Sequence, residues 1–537
     1  MADDKLLVRV KQGQLRGILV ENVYGGHYLA FNGVPYAKPP IGPLRFKDPE
    51  PAEPWTGVRN ATKYGGICAQ FETLTRKLIG DDDCLYLNVY RPVGDAPRKR
   101  AVMLWIHGGA FVNGSGDSAI YGPDYLVRKD IVLVTINYRL GVLGFLNIEH
   151  EAAPGNQGLK DQVMALRWVQ ENISSFGGDP DNVTIFGESA GAASVHYLTL
   201  SPLSQGLFHK AISQSGAVSN PWAANTVEPK KYVYQIAAQL GEHSTDPKTV
   251  VEFLRTVDAQ KLVVAESKLM EPMDHYTMMG VFRPGIDDKS PNPFMPQHPM
   301  LMMKAGVKVP FIIGHNSNEG TMFPGPFRQN ERENDHIAAI EEDFRLIIPS
   351  ELQVLMKKEG ISPQSVKRFY FGDATINKEM IQEYANFVSD SFFLMGIYDA
   401  VDIQMEKATQ PTYMYKFTFD SDSLTKTVFN ISLPGATHAD DLAYLFYPHI
   451  IKSELLPPEV GSEKHRVIEY FTQMWTDFAK TGNPTPKTTD LITTVWKPVG
   501  KSDTHTYSYL NINATLRMET SNKKGPHYDW ARLKNKL

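Results

Sequence analysis

The run Gly187-Glu188-Ser189-Ala190-Gly191 carries the strongest chemical signal in the sequence. It lies between Val183-Thr184-Ile185-Phe186, a short β-branched and apolar run, and the helix-favouring segment Ala190 to Leu200. A serine flanked by glycines at a strand-to-helix junction predicts a nucleophile elbow, a turn so tight that only small residues fit on either side. Such a turn lifts the Ser189 Oγ clear of the backbone. It also aims the free N–H groups of the next helix at the place where negative charge develops during attack.

A serine hydroxyl is a poor nucleophile until a base takes its proton, and the base needs an acid to orient it. Around an elbow of this kind the three follow in the chain order Ser, Asp or Glu, His. Glu319 fits the acid, because it follows the strand candidate Val309 to Gly314 across Asn316-Ser317-Asn318. His438 fits the base, in the loop Pro434-Gly435-Ala436-Thr437-His438-Ala439-Asp440-Asp441 beyond the strand candidate Tyr413 to Phe419. The chain holds 15 histidines, so the choice rests on order and position together. His107-Gly108-Gly109-Ala110 directly follows the strand candidate Val102 to Ile106. Glycines there let backbone N–H groups approach a substrate carbonyl, so Gly108, Gly109 and Ala190 are the expected oxyanion donors. Asn113-Gly114-Ser115-Gly116 lacks the Gly-Lys-Ser/Thr ending of a phosphate loop and is set aside.

These groups need a rigid frame. Val102 to Ile106 and Ile131 to Ile136 are unbroken apolar runs bounded by turn residues, which suits strands buried on both faces of a parallel sheet. Leu159, Val163, Leu166, Val169 and Ile173 recur at helical steps, as do Val467, Phe471, Met474, Trp475 and Phe478 before Gly482 and Pro484. Leu6 to Val10 and Leu15 to Val20 flank Gln12-Gly13-Gln14 as a hairpin, and Pro35 to Pro54 reads as an extended loop. Strands alternating with helices predict an α/β fold, a mostly parallel twisted sheet with helices on both faces and a small N-terminal β element. Residues 1–537 read as a single domain, with helical insertions at about 222–305 and 322–400 forming the substrate wall.

At 537 residues with 42% hydrophobic and 21% charged content, the chain has ample material for one large core. A net charge of −5 implies no basic surface for nucleic acid. No apolar run approaches the ~18–20 residues that span a bilayer. The first residues lack the pattern of a secretion signal, which predicts a cytoplasmic protein. Sequons at Asn60, Asn172, Asn182, Asn430 and Asn513 then read as chance matches. The two cysteines, Cys68 and Cys84, make neither a metal site unaided nor a disulfide framework, though they could close one loop. The reading requires no cofactor and no metal.

With these residues in hand, the chain resembles the type-B carboxylesterase and cholinesterase family of the α/β-hydrolase fold from about residue 6 to about residue 515. The resemblance rests on Phe31-Asn32-Gly33-Val34-Pro35-Tyr36-Ala37, Asp83-Cys84-Leu85-Tyr86-Leu87-Asn88-Val89, Asn137 to Phe145, Gly158-Leu159-Lys160-Asp161-Gln162, the elbow, and Phe478 to Pro484. Within the family it looks most like the insect alpha-esterases, a largely intracellular branch. The resemblance places Ser189, Glu319 and His438 on the catalytic triad and Gly108, Gly109 and Ala190 on the oxyanion hole. It gives Ser215 a supporting role in the triad's polar network, and it matches Cys68 and Cys84 to the family's first disulfide. In a cytosolic protein both thiols should stay mostly reduced. Many relatives carry a third glycine where this chain has Ala110, whose methyl should crowd the pocket floor.

The expected activity is hydrolysis of uncharged carboxylic esters through an acyl-enzyme, including xenobiotic esters in detoxification. Organophosphates and other insecticides should bind the same serine, because a tetrahedral phosphoryl group mimics the acyl-transfer intermediate. An esterase tuned to a hormone or odorant is the alternative, and a non-catalytic adhesion or sequestration protein a remote one. Trp222, Phe282, Met322, Phe323, Phe392 and Phe393 are expected pocket residues. Ala69 to Asp83 contains no tryptophan and one aromatic, Phe71, so the cation–π platform of the cholinesterases is missing.

Overall fold

The computed structural model describes residues 6–73, 75–94, 96–225, 229–269, 280–327, 332–421, 423–451, 456–500 and 506–522. Its frame is an 11-stranded sheet. From one edge the strands are Arg517–Asn522, Thr506–Ile512, Thr412–Phe417, Phe311–Asn316, Lys210–Gln214, Gly178–Glu188, Arg100–Ile106, Val132–Ile136, Tyr86–Pro92, His27–Pro35 and Ile18–Glu21. Thr506–Ile512 through Val132–Ile136 pair in parallel, and the remaining strands add antiparallel at the two ends.

The apolar run Arg100–Ile106 shows why the sheet is covered on both sides. Val102, Leu104 and Ile106 enter one core while Ala101, Met103 and Trp105 enter the other, the two-residue alternation of a strand. The first core receives the helices Gln157–Asn172 and Ala190–Leu200, the second the long helix Glu463–Thr481. The buried residues of Glu463–Thr481 include the periodic set read from the sequence, whereas Gln157–Asn172 is buried on nearly every face, Lys160, Asp161 and Gln162 included, and Ala190–Leu200 is buried along almost its whole length.

The N-terminal hairpin differs from expectation. Leu7–Val10 pairs with Gly13–Arg16 in a small separate sheet, while Ile18–Glu21 crosses to the edge of the large one. Gly17 makes the break: a Cβ there would lie 2.6 Å from the Ala30 carbonyl oxygen. The stretch expected as a loop from Pro35 begins as the last residue of the strand His27–Pro35.

Cys68 and Cys84 are joined as a disulfide, the pairing the resemblance implies, and the expectation that both thiols stay reduced is corrected. The chain between them folds back on itself, Gln70–Phe71 pairing with Leu78–Ile79 and Cys68 bridging to Asp81, so the two Cα atoms come within 4.9 Å. No helix among the described residues is long and apolar enough to cross a membrane.

Candidate active site

Five adjacent parallel strands end on one side of the sheet, the carboxyl edge where open α/β sheets bind ligands. Arg100–Ile106 leads into His107-Gly108-Gly109, Gly178–Glu188 into Ser189, and Lys210–Gln214 into Ser215. Phe311–Asn316 leads into Glu319, and the segment after Thr412–Phe417 carries His438.

Ser189 sits at φ 57° and ψ −122°, a strained conformation for a residue with a side chain. The surroundings hold it there. Its N–H donates to the Gln214 carbonyl at 2.8 Å, and its own carbonyl accepts from Ala193 N–H at 3.0 Å. A Cβ on Gly191 would lie 2.0 Å from the Ile106 carbonyl oxygen, and one on Gly187 would lie 2.6 Å from the Gly191 backbone, so both flanks demand glycine. Ser189 is half-buried between the buried Glu188 and Ala190.

Glu319 is fully buried and uses both carboxylate oxygens. Oε1 accepts from Ser215 Oγ–H and from Asn316 N–H, each at 2.6 Å, and Oε2 lies 2.6 Å from His438 Nδ1. Burial works against its charge, but His438 and these donors outweigh burial and hold its carboxyl below the usual range. With Nδ1 engaged, His438 has Nε2 left for a substrate-facing role. That nitrogen lies 3.0 Å from Glu188 Oε1, at ion-pair distance, although Oε1 makes no hydrogen bond of good angle. Burial alone would lower the His438 pKa; the two carboxylates raise it to about 10.

Gly108 closes the constellation. A Cβ on it would lie 2.8 Å from Glu188 Oε2 and 3.1 Å from Ser189 Cβ, so its backbone passes directly over the elbow. Among the described residues, the N–H groups of Gly108, Gly109 and Ala190 make no hydrogen bond within the protein. Gly109 has φ +109°, followed by Ala110 at φ +52° and Phe111 at φ +63°. A glycine at position 110 would take that conformation without cost; Ala110 bears a strain of about 1–2 kcal/mol. His107 stacks on Tyr138 at 4.5 Å, and burial lowers its pKa to about 4, so it braces the loop as a neutral ring.

Of the expected pocket residues, Trp222, Phe323 and Phe393 gather at the histidine. The ring centroid of Phe393 lies 4.6 Å and that of Phe323 5.4 Å from His438, and Trp222 lies 5.9 Å from Phe393. Phe392 is buried beside them and takes part through its carbonyl. Met322, half-buried, precedes Phe323 in the same turn. Phe282 lies elsewhere: it is buried, and its N–H bonds Glu266, which also accepts from Val142 N–H at 2.9 Å.

Sequence reasoning missed the placement of Glu188 against His438, although it stands inside the recognised motif beside Ser189. It also treated Asp441 as a loop carboxylate. Asp441 is fully buried, accepting from Gln214 Nε2 at 2.8 Å, Tyr415 Oη at 3.1 Å and Asn316 Nδ2 at 3.3 Å. Burial, reinforced by the charges of Glu188 and Glu319, pushes it up to about 7.

Comparison with known proteins gives the family and the fold. Residues 4–529 match the carboxylesterase family. The chain is 38% identical to a juvenile hormone esterase of Tribolium castaneum, over 89% of this chain and 84% of that one. It is 34% identical to esterase FE4 of Myzus persicae, covering 95% and 90% respectively. The crystal structure of juvenile hormone esterase from Manduca sexta, with OTFP covalently attached, superposes with a TM-score of 0.85 at 30% identity and covers 99% of both chains. The chain therefore belongs to the carboxylesterase family, has the α/β-hydrolase fold and is a carboxylic ester hydrolase.

Proposed function

We propose that Ser189 is the nucleophile, His438 its general base and Glu319 the acid that orients it, with Gly108, Gly109 and Ala190 N–H forming the oxyanion hole. The observation that carries this reading is the 2.6 Å contact between Glu319 and His438 Nδ1, which turns Nε2 toward the elbow. Neutral His438 takes the Ser189 proton as Oγ attacks the ester carbonyl, and the oxyanion gathers charge under the three amides. The imidazolium then protonates the departing alcohol, and water repeats the cycle on the acyl-serine. Ser215 keeps Glu319 charged and fixed.

The substrates in this reading are uncharged esters, xenobiotic ones included, with organophosphates and other insecticides trapped on Ser189. The apolar wall of Trp222, Phe323 and Phe393 supports that preference. The whole chain acts as one hydrolase unit, in which 222–305 and 322–400 supply the wall. The 38% identity to a juvenile hormone esterase favours a second reading, an esterase for one apolar hormone ester. Comparing kcat/KM for juvenile hormone with that for short-chain aryl esters separates the two. Replacing Ser189 with Ala tests the mechanism itself: hydrolysis should fall by on the order of 10⁴–10⁶ in kcat while the fold persists. A folded variant retaining a tenth of the wild-type rate would overturn it.

A further inference from the structure

The helix Ile381–Val388 passes into Met395–Lys407 through one wide turn of π type, Ser389–Leu394, in which Met395 N–H reaches back five residues to the Asp390 carbonyl. Such turns free backbone carbonyls from the helical ladder and recur at functional sites. Here the carbonyls of Phe392 and Phe393 are met from outside the helix. Asn220 Nδ2 donates to both, at 2.8 and 2.7 Å, and Trp222 Nε1 donates to Phe392 at 2.7 Å. Asn220 is itself held, because its Oδ1 accepts from Ala217 N–H at 2.7 Å and its N–H donates to the Ala217 carbonyl at 3.1 Å. A Cβ on Gly396 would lie 2.6 Å from Asn220 Nδ2, so the helix comes this close only through a glycine.

The consequence falls on the proposed base. The wide turn carries the Phe393 ring to 4.6 Å from His438 and stacks it on Phe323 at 5.6 Å. The first residue of the turn, Ser389, accepts the N–H of Gly320, next to Glu319, at 2.8 Å. One irregular turn thus bears on both partners of Ser189.

We infer that Asn220, assisted by Trp222, is a positioning residue that sets ester specificity: it caps the carbonyls of the wide turn and so fixes Phe393 as the wall beside His438. The inference rests on the proposed roles of Ser189 and His438 and deepens them. Without the Asn220 carboxamide, the Phe393 carbonyl loses its donor from outside the helix and the Phe392 carbonyl keeps only Trp222. Closing the turn to ordinary helix would shift the register by one residue, a rotation of about 100° that swings Phe393 off the histidine.

The test compares wild type, Asn220→Ala, Phe393→Ala, the double variant, and Trp222→Phe alone and with Phe393→Ala. For each, kcat/KM is measured on two ester series, one lengthening the acyl chain at fixed alcohol and one enlarging the alcohol at fixed acyl group. Phe393→Ala should move the preference toward bulkier esters by about ten-fold or more. Asn220→Ala should move it the same way, and the double variant should shift no further than Phe393→Ala alone. Trp222→Phe keeps a ring in the wall but drops one donor, and should give a smaller shift of the same sign that disappears in the Phe393→Ala background, whereas a direct effect of the smaller ring would persist there. It decides the matter if Asn220→Ala does not fold. A preference is a ratio between substrates, so losing folded protein does not move it. Unchanged preferences in Asn220→Ala, or in Trp222→Phe where only that variant folds, would overturn the inference. So would an Asn220→Ala shift, or in its place a Trp222→Phe shift, that persists undiminished in the Phe393→Ala background. An active Ser189→Ala protein would instead indict the reading beneath it.

Discussion

Glu188 Oε1 lies 3.0 Å from His438 Nε2, so the ring nitrogen a serine must use faces a carboxylate contributed by the residue just before that serine. Together with Glu319 on Nδ1, the contact places the imidazole between two anions. A base in that position is held in its charged, inactive form over a wider pH range than a solvated histidine.

The first prediction follows from the sign of that shift. In the proposed mechanism only neutral His438 accepts the serine proton, and two carboxylates outweigh burial and raise its pKa to about 10. Activity should therefore climb with pH along a limb displaced above the ordinary histidine value of ~6.5. Glu188→Gln removes one of the two anions and should bring the limb back down, while Glu319 still orients the ring. A pH profile of kcat/KM on both proteins, with chemistry shown to be limiting, checks this; coincident limbs would show that Glu188 does not govern the base.

Glu319 and Asp441 separate in the second prediction. Glu319→Gln keeps the shape but loses the charge that stabilises the imidazolium, and should cost about 10⁴ in kcat. Asp441 is pushed up to about 7 and sits among the amides of Gln214 and Asn316 and the hydroxyl of Tyr415. Asp441→Asn should cost far less, below about 10². Single-turnover rates with one activated ester decide it, and equal losses would mean the acid is shared.

Much of this arrangement is legible from sequence because it is local. The elbow, the His107-Gly108-Gly109 turn and the two-face burial of Arg100–Ile106 each declare themselves within a few residues. The strand Arg517–Asn522 does not: Arg-Met-Glu-Thr-Ser-Asn is polar because it forms an edge of the sheet, so no apolar run marks it. The pairing of Asn220 with Phe392 and Phe393, across 172 and 173 residues, also leaves no local trace. Neither does the approach of Glu188 to His438, since both depend on which strands become neighbours. Ser215, by contrast, follows a sheet strand in a recognisable Gln-Ser-Gly run and lies against Glu319.

The third prediction concerns the disulfide. Cys68 and Cys84 close a short loop, 16 positions apart in sequence, and Gln70 inside it grips Gly114 through both ends of its amide, at 2.7 and 2.9 Å. Cys68→Ser with Cys84→Ser should lower unfolding stability by about 3 kcal/mol through the freed loop. It should reduce kcat/KM only modestly, because Gln70 and the Tyr138 stack on His107 still brace the oxyanion segment. Denaturant titration beside steady-state kinetics measures both, and an unchanged midpoint would show the bond contributes nothing.

The last prediction concerns substrate charge. With no tryptophan between Ala69 and Asp83, a choline ester forgoes a cation–π contact worth about 2 kcal/mol when desolvated. Phe71, the one aromatic of that loop, borders a cavity of about 80 Å³ that also receives Arg76 and Glu266. Burial lifts Glu266 to about 7, so it offers an ammonium only partial charge, and Arg76 opposes it. At the elbow the Glu188 carboxylate is already matched with His438. Neutral esters lose nothing by these absences and meet the apolar rings of Trp222, Phe323 and Phe393. Butyrylcholine should therefore show a lower kcat/KM than an uncharged butyrate ester of similar leaving-group activation. The matching matters, because a nitrophenolate would win on chemistry alone. If the cation is clearly preferred on purified protein, Glu188 or Glu266 is free to receive it, and the Glu188→Gln variant tells which.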